Sequence, residues 1–126
     1  MREHELPFPP SVNHYWRRVG PRTLISREGR AFREKVCSIL AASGTCAITG
    51  PLAVKLDAYP PDRRRRDLDN LPKGALDALE KGGAYADDGQ IDLLVVCRQE
   101  PVEGGRLIVR LYPYPLLRCP LCGGPW

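Results

Sequence analysis

The chain has 126 residues, of which 43% are hydrophobic and 27% charged; this is the make-up of one globular domain, large enough for a core without disulfide staples. No apolar run approaches the roughly 20 residues of a membrane span, and the opening Met1-Arg2-Glu3-His4-Glu5 is unlike a secretion signal, so the expected setting is cytoplasmic with no membrane partner. A net charge of +4 suits an anionic partner, and five cysteines, an odd number, argue against a closed disulfide framework.

Residues 5–10 read as an edge strand or an extended lead-in, because their prolines exclude a central strand. Residues 11–25 mix Ser, Asn, Gly and Pro with Tyr15, Trp16, Arg17, Arg18 and Arg22, and are expected to form a mobile basic loop. Residues 27–42 fit a helix capped by Ser26, with Phe32, Val36, Ile39 and Leu40 on one face and Gly44 to end it. Residues 52–59 alternate as a strand, with Leu52, Val54, Leu56 and Ala58 inward and Lys55 and Asp57 outward, until Pro60-Pro61 stops it. Residues 70–81 predict a second helix, with Asp69 as its cap and Pro72 in its first turn. Its stripe is Ala75, Leu76 and Leu79, and Gly82-Gly83 end it. Residues 91–98 and 106–112 predict two strands, joined through Glu103-Gly104-Gly105 and expected to be antiparallel neighbours. The expected fold is α/β in the α+β sense: a small mixed sheet of about four strands packed with two main helices, one domain over residues 1–112. Residues 113–126 form a Pro/Gly/Cys tail.

The chemistry gathers in the middle of the chain. Arg63 to Arg66 form an unbroken basic run that leads directly into Asp67-Leu68-Asp69-Asn70, with Lys73 one helical turn beyond Asp69. In an extended stretch residues i and i+2 point the same way, so Asp67 and Asp69 would converge while Leu68 turns to the core. Hard divalent cations take such carboxylate oxygens, and Asp87-Asp88-Gly89, before the next strand, can supply a third. The plainer reading remains open on spacing alone. One acid would cap the helix, another would pair with Arg66, Asp87-Asp88-Gly89 would be a routine turn, and the arginines would be a solvated face. Phosphate clamps beside metal ligands are, however, the pairing that phosphoryl chemistry uses.

The segment from Pro61 to Leu71, followed by Lys73, Ala75, Asp77-Ala78-Leu79 and Asp87-Asp88, closely resembles the RusA family of Holliday junction resolvases. The opening Leu6-Pro7-Phe8-Pro9-Pro10-Ser11 with Asn13 and Tyr15, and Gly104-Gly105-Arg106-Leu107, resemble it too, so the similarity covers roughly residues 5–112. The resemblance implies a homodimer, Mg²⁺ as cofactor with Mn²⁺ as substitute, and branched DNA, the four-way junction, as substrate. It implies Asp67, Asp69 and Asp88 as metal-binding catalytic carboxylates and Lys73 as the catalytic lysine. Arg17, Arg18, Arg64 and Arg66 are expected to hold DNA; Tyr15 and Trp16 either stack on opened bases or anchor the core. Pro72 and Gly74 flank Lys73 where better helix formers would be expected.

The tail lies outside the family body. Cys119-Pro120-Leu121-Cys122 has the shape of half a zinc knuckle, and a closed structural Zn²⁺ site needs four ligands. Two tails meeting across a dimer, a ligand from elsewhere in the chain, or a reduced tail without metal are the open alternatives. Two other classes compete with the nuclease: a non-catalytic branched-DNA-binding module, which has no use for three convergent acids, and a protein-interaction module built on the zinc tail.

Overall fold

The computed structural model describes residues 1–125; Trp126, the last residue of the predicted tail, lies outside them. The strands are β1 (Arg2–Leu6), β2 (Trp16–Val19), β3 (Arg22–Ile25), β4 (Leu52–Tyr59), β5 (Ile91–Arg98) and β6 (Arg106–Pro113); the helices are α1 (Val12–Tyr15), α2 (Arg27–Ala42) and α3 (Pro72–Lys81). Four strands make one mixed sheet in the order β1-β6-β4-β5, and β2 pairs with β3 apart from it. The four-stranded mixed sheet and two main helices follow from the alternation and periodicity of the sequence.

The core sits between one face of the sheet and the pair α2 and α3. Leu52, Val54, Leu56 and Ala58 of β4 meet Leu107, Val109 and Leu111 of β6, and the helices contribute Phe32, Val36, Leu40, Ala75, Ala78 and Leu79. α2 starts where expected, because the Ser26 Oγ accepts a hydrogen bond from the Gly29 N–H at 2.9 Å.

Four local expectations are corrected. β5 and β6 are not neighbours: β5 runs parallel to β4 after the α3 crossover, and β6 lies antiparallel between β4 and β1. A glycine turn fixes that the chain reverses, not which strand it returns beside. The link passes the end of β4 instead, where the Gln99 N–H donates to the Ala58 carbonyl at 2.8 Å and the Val102 N–H to the Pro60 carbonyl at 2.9 Å. The first strand precedes the prolines, with His4 and Leu6 turned inward. Residues 11–25 are not a loop but one helical turn and a hairpin. Gly20, at φ +60, takes the first central position of the two-residue turn. Asp57, expected on the solvent side, is buried, because the outer face of a central strand is roofed by long side chains from its neighbours.

Tyr15 settles the question raised by its sequence position. It is fully buried, with its ring edge-on to Trp16 at 4.9 Å, so it anchors the core and does not stack on bases. Its hydroxyl donates to Asp77 of α3, and Arg33 of α2 reaches the same carboxylate at 2.7 Å, which ties α1, α2 and α3 together. Burial and the Asp77 carboxylate push the Tyr15 hydroxyl up to about 12. Gly74 is explained by the same ring. A Cβ built at Gly74 would stand 2.7 Å from the ring of Tyr15. Alanine would gain about 1 kcal/mol of helix propensity but overpack the buried Tyr15 ring, at about 1–3 kcal/mol. Gly74→Ala should therefore lower the denaturant midpoint, and a midpoint at or above wild type would show that the ring can move aside.

Candidate active site

Between β4 and α3 the chain carries its charge through an irregular stretch, and the side chains there divide into committed and uncommitted groups. Arg66 pairs with Asp62 at 2.8 Å and lies 5.5 Å over the ring of Phe8. Arg64 also reaches Asp62, at 3.2 Å, and Arg63 reaches Glu100 at 3.4 Å. Arg66 and the Arg64 backbone N–H together hold the Asp62 carboxyl well below the usual range. The exposed Arg63 and Arg64 pairs are worth little, so those guanidinium groups can turn to a stronger anion at small cost, whereas Arg66 is also held by the Asp62 and Arg64 carbonyls. The run lies between two clefts. One, of about 560 Å³, is lined by Phe8, Ser11, His14, Arg65, Asp67 and Asn70 among others. The other, of about 400 Å³, lies between Arg63 to Arg66 and Arg98.

Asp67 and Asp69 do not take the structural roles that spacing left open to them. Residues Leu68–Asn70 form a 3-10 turn, and α3 starts after Leu71 with no side-chain cap. Asp69 is thus not the helix cap, and Asp67 makes no cap hydrogen bond either. Asp67 does not pair with Arg66; it stands 3.9 Å from Arg65, with both side chains exposed. The 3-10 turn also removes the simple alternation assumed for an extended Asp-x-Asp, although Leu68 does pack against the core.

Asp87 and Asp88 share their work unequally. Asp87 is the turn residue: its Oδ1 accepts from the Gly89 N–H at 2.8 Å, and the Gln90 side chain accepts from the Asp87 N–H at 3.0 Å. Gln90 then donates to the carbonyls of Ile48 and Gly50, which moors the turn. Asp88 lies exposed with its carboxylate against that of Asp87, while its N–H donates to Glu80 Oε1 at 2.7 Å. Oxygens of Glu80, Asp87 and Asp88 come within 4.8 Å of one another, the close acidic cluster among the described residues; Asp67 and Asp69 are not part of it. Burial, followed by the charges of Glu80 and Asp87, raises the Asp88 carboxyl above its ordinary value, and the Lys73 ammonium works against that rise. Lys73 therefore acts on the same patch as Asp88. Acids that destabilise one another's charge, through oxygen donors only, fit a hard divalent cation.

Glu80 was missed from the sequence. The signal was present, since Glu80 is seven residues beyond Lys73 on α3, two turns along one helix face. Of the expected DNA-holding residues, Arg17 and Arg18 lie exposed on the β2–β3 hairpin with Arg22, Arg64 is exposed in the basic run, and Arg66 is half-buried.

Fold and surface together define a small α+β protein that carries a run of four arginines, two exposed acids beside it and a separate acidic cluster at Glu80, Asp87 and Asp88. The model of the family described as Endodeoxyribonuclease RusA matches residues 7–112. The chain is 44% identical over 103 residues to the crossover junction endodeoxyribonuclease RusA of Escherichia coli K12, covering 81% of this chain and 86% of that one. A protein of the same description from Enterobacteria phage 82 matches to the same extent. That of Enterobacteria phage HK97 is 43% identical over 114 residues, covering 88% of this chain and 95% of that one. The chain belongs to the RusA family of endodeoxyribonucleases.

Proposed function

We propose that the chain is a metal-dependent, structure-selective endonuclease that resolves four-way DNA junctions by paired symmetric nicks, in recombination and repair in the cytoplasm. Residues 1–112 are the nuclease body and 113–126 an addition to it. The observation that carries the reading is that Asp67 and Asp69 follow directly on four arginines and are spent on neither capping nor burial.

Asp67, Asp69 and Asp88 would hold Mg²⁺, or Mn²⁺ in its place, with Glu80 and Asp87 beside Asp88. A bound ion of this kind acidifies a coordinated water and offsets charge on a phosphate. The chain's own groups do the rest. The exposed Arg63 and Arg64 leave their weak carboxylate partners for backbone phosphates and fix the scissile group against the acids, with Arg65 and Arg66 beside them. Lys73 places its ammonium toward the phosphate or the departing oxygen, where developing negative charge is stabilised. The exposed hairpin with Arg17, Arg18 and Arg22 holds the arms of the junction. A homodimer presents two such sites about a two-fold axis, which matches two cuts in a two-fold substrate.

The deciding experiment is cleavage of a labelled four-way junction beside a linear duplex, with Mg²⁺ and with EDTA. Symmetric nicks on the junction alone, and only with metal, are expected; tight binding with no cutting under any metal would point to the non-catalytic binding module. The hairpin makes a separate prediction. Replacing Arg17 and Arg18 with alanine should weaken junction binding and flatten its salt dependence, by about 0.9 in the log–log slope for each phosphate that is no longer neutralised. An unchanged slope would remove the hairpin from the DNA interface.

A further inference from the structure

The nuclease chemistry leaves the segment beyond β6 without a task, yet that segment is built around sulfur. The Gly123 N–H donates to the Cys119 carbonyl at 2.9 Å, and the Cys119 N–H donates to the Gly124 carbonyl at 2.7 Å. Arg118 braces the turn at the Gly123 carbonyl at 3.0 Å, and Gly123 takes the left-handed φ of +75 that closes it. Inside the turn, the backbone N–H of Leu121 is directed at the Cys119 sulfur at 3.4 Å. Both thiols are free, and neither is buried.

We propose that Cys119 and Cys122 are one half of a four-thiolate zinc site, and that the same pair from a second copy of this chain is the other half. A structural zinc ion is closed by four ligands, and one tail offers two. Among the described residues, no third Cys, His, Asp or Glu stands close enough to the pair to complete a ligand cluster. Cys37 and Cys97 are half-buried in α2 and β5. The surface around the turn is also unfinished. Leu117 and Leu121 are 93% and 64% exposed, and Leu117 borders an apolar hollow of about 590 Å³ with Pro115, Leu116 and Pro120. Two identical tails meeting about a two-fold axis would cover these leucines as they bring four sulfurs together.

The test uses the full chain, loaded with Zn²⁺ and dialysed, with metal content measured beside native mass. About 0.5 zinc per chain is expected, with pairs of chains retaining one ion. Co²⁺ put in its place should give the strong thiolate charge-transfer bands and tetrahedral d–d spectrum of a four-sulfur site. Cys119→Ser with Cys122→Ser should abolish both signals while the circular dichroism of the nuclease body stays unchanged. One zinc per chain, a two-sulfur cobalt spectrum, no retained zinc, or zinc unaffected by the double substitution would each overturn the proposal. Metal content and spectrum are read without DNA, so the result stands apart from junction cutting.

Discussion

Asp67→Asn and Asp69→Asn are each expected to slow junction cutting by at least about 10²–10³-fold, with binding equal to or tighter than wild type. The size follows from chemistry that relies on carboxylates to neutralise and place charge at the phosphate, each tenfold loss corresponding to about 1.4 kcal/mol of barrier. The retained binding follows from electrostatics, since removing a negative charge beside a phosphate cannot weaken attraction to the arginines. The fold should not notice. Neither carboxylate caps a helix, and Asp67 has only the 3.9 Å exposed contact with Arg65, so the melting temperature should stay close to wild type. Asp88→Asn should lose cutting in the same way. Asp87→Ala is the contrast, because the Asp87 carboxylate caps the turn at Asp88–Gln90 through the Gly89 N–H, and its loss should appear mainly in stability. Junction-cleavage rates beside thermal melts on all four variants separate these outcomes. Cutting by Asp67→Asn at the wild-type rate would end the mechanism.

These roles show where the sequence could be read and where it could not. The periodicity of Phe32, Val36 and Leu40, and the alternation of Leu52, Val54 and Leu56, report burial directly, so α2 and β4 were legible with their inward faces. The Asp87-Asp88 pair was legible as the turn before β5 but not as a division of labour, which depends on where Gln90 and Glu80 place their oxygens. The partner of β6 was illegible because strand order is decided by the α3 crossover, not by the Gly104-Gly105 turn. The β2–β3 hairpin was hidden by its composition. Trp16-Arg17-Arg18-Val19 and Arg22-Thr23-Leu24-Ile25 are largely exposed, so no apolar alternation marks them, and Gly20-Pro21 alone signalled the turn. Gly74 looked like a weak point in α3, and only the Tyr15 ring against it gives the reason.

Asp57→Ala is expected to cost about 3–5 kcal/mol, a large share of the roughly 5–15 kcal/mol that keeps a domain of this kind folded. The Asp57 side chain is 3% exposed at the centre of the sheet and meets the Lys55 ammonium at 2.6 Å and Arg110 at 2.8 Å. Its other oxygen accepts from Gln99 at 2.8 Å, which also fastens the link from β5 to β6. Arg110 keeps Glu3, at 2.8 Å, when Asp57 is removed. Lys55, 11% exposed, loses its carboxylate and is left as a nearly buried charge. The cost therefore belongs to Lys55 as much as to Asp57, and Lys55→Met added to Asp57→Ala should recover much of it, since both members are then replaced without a stranded charge. The network also sets the acid limit. Burial alone would raise the Asp57 carboxyl; the hydrogen bonds from Lys55 and Gln99 and the charges of Lys55 and Arg110 outweigh it and hold the group below its unperturbed value of 3.8. A carboxyl with a folded value below its unfolded one stabilises fully above the unfolded value and loses that contribution as pH falls through the folded one. Wild type should thus lose stability below about pH 4, and Asp57→Ala should show a shallower loss over the same range. Urea unfolding from pH 7 down to pH 3 measures both slopes, and parallel curves for the two proteins would show that Asp57 is not the group that titrates.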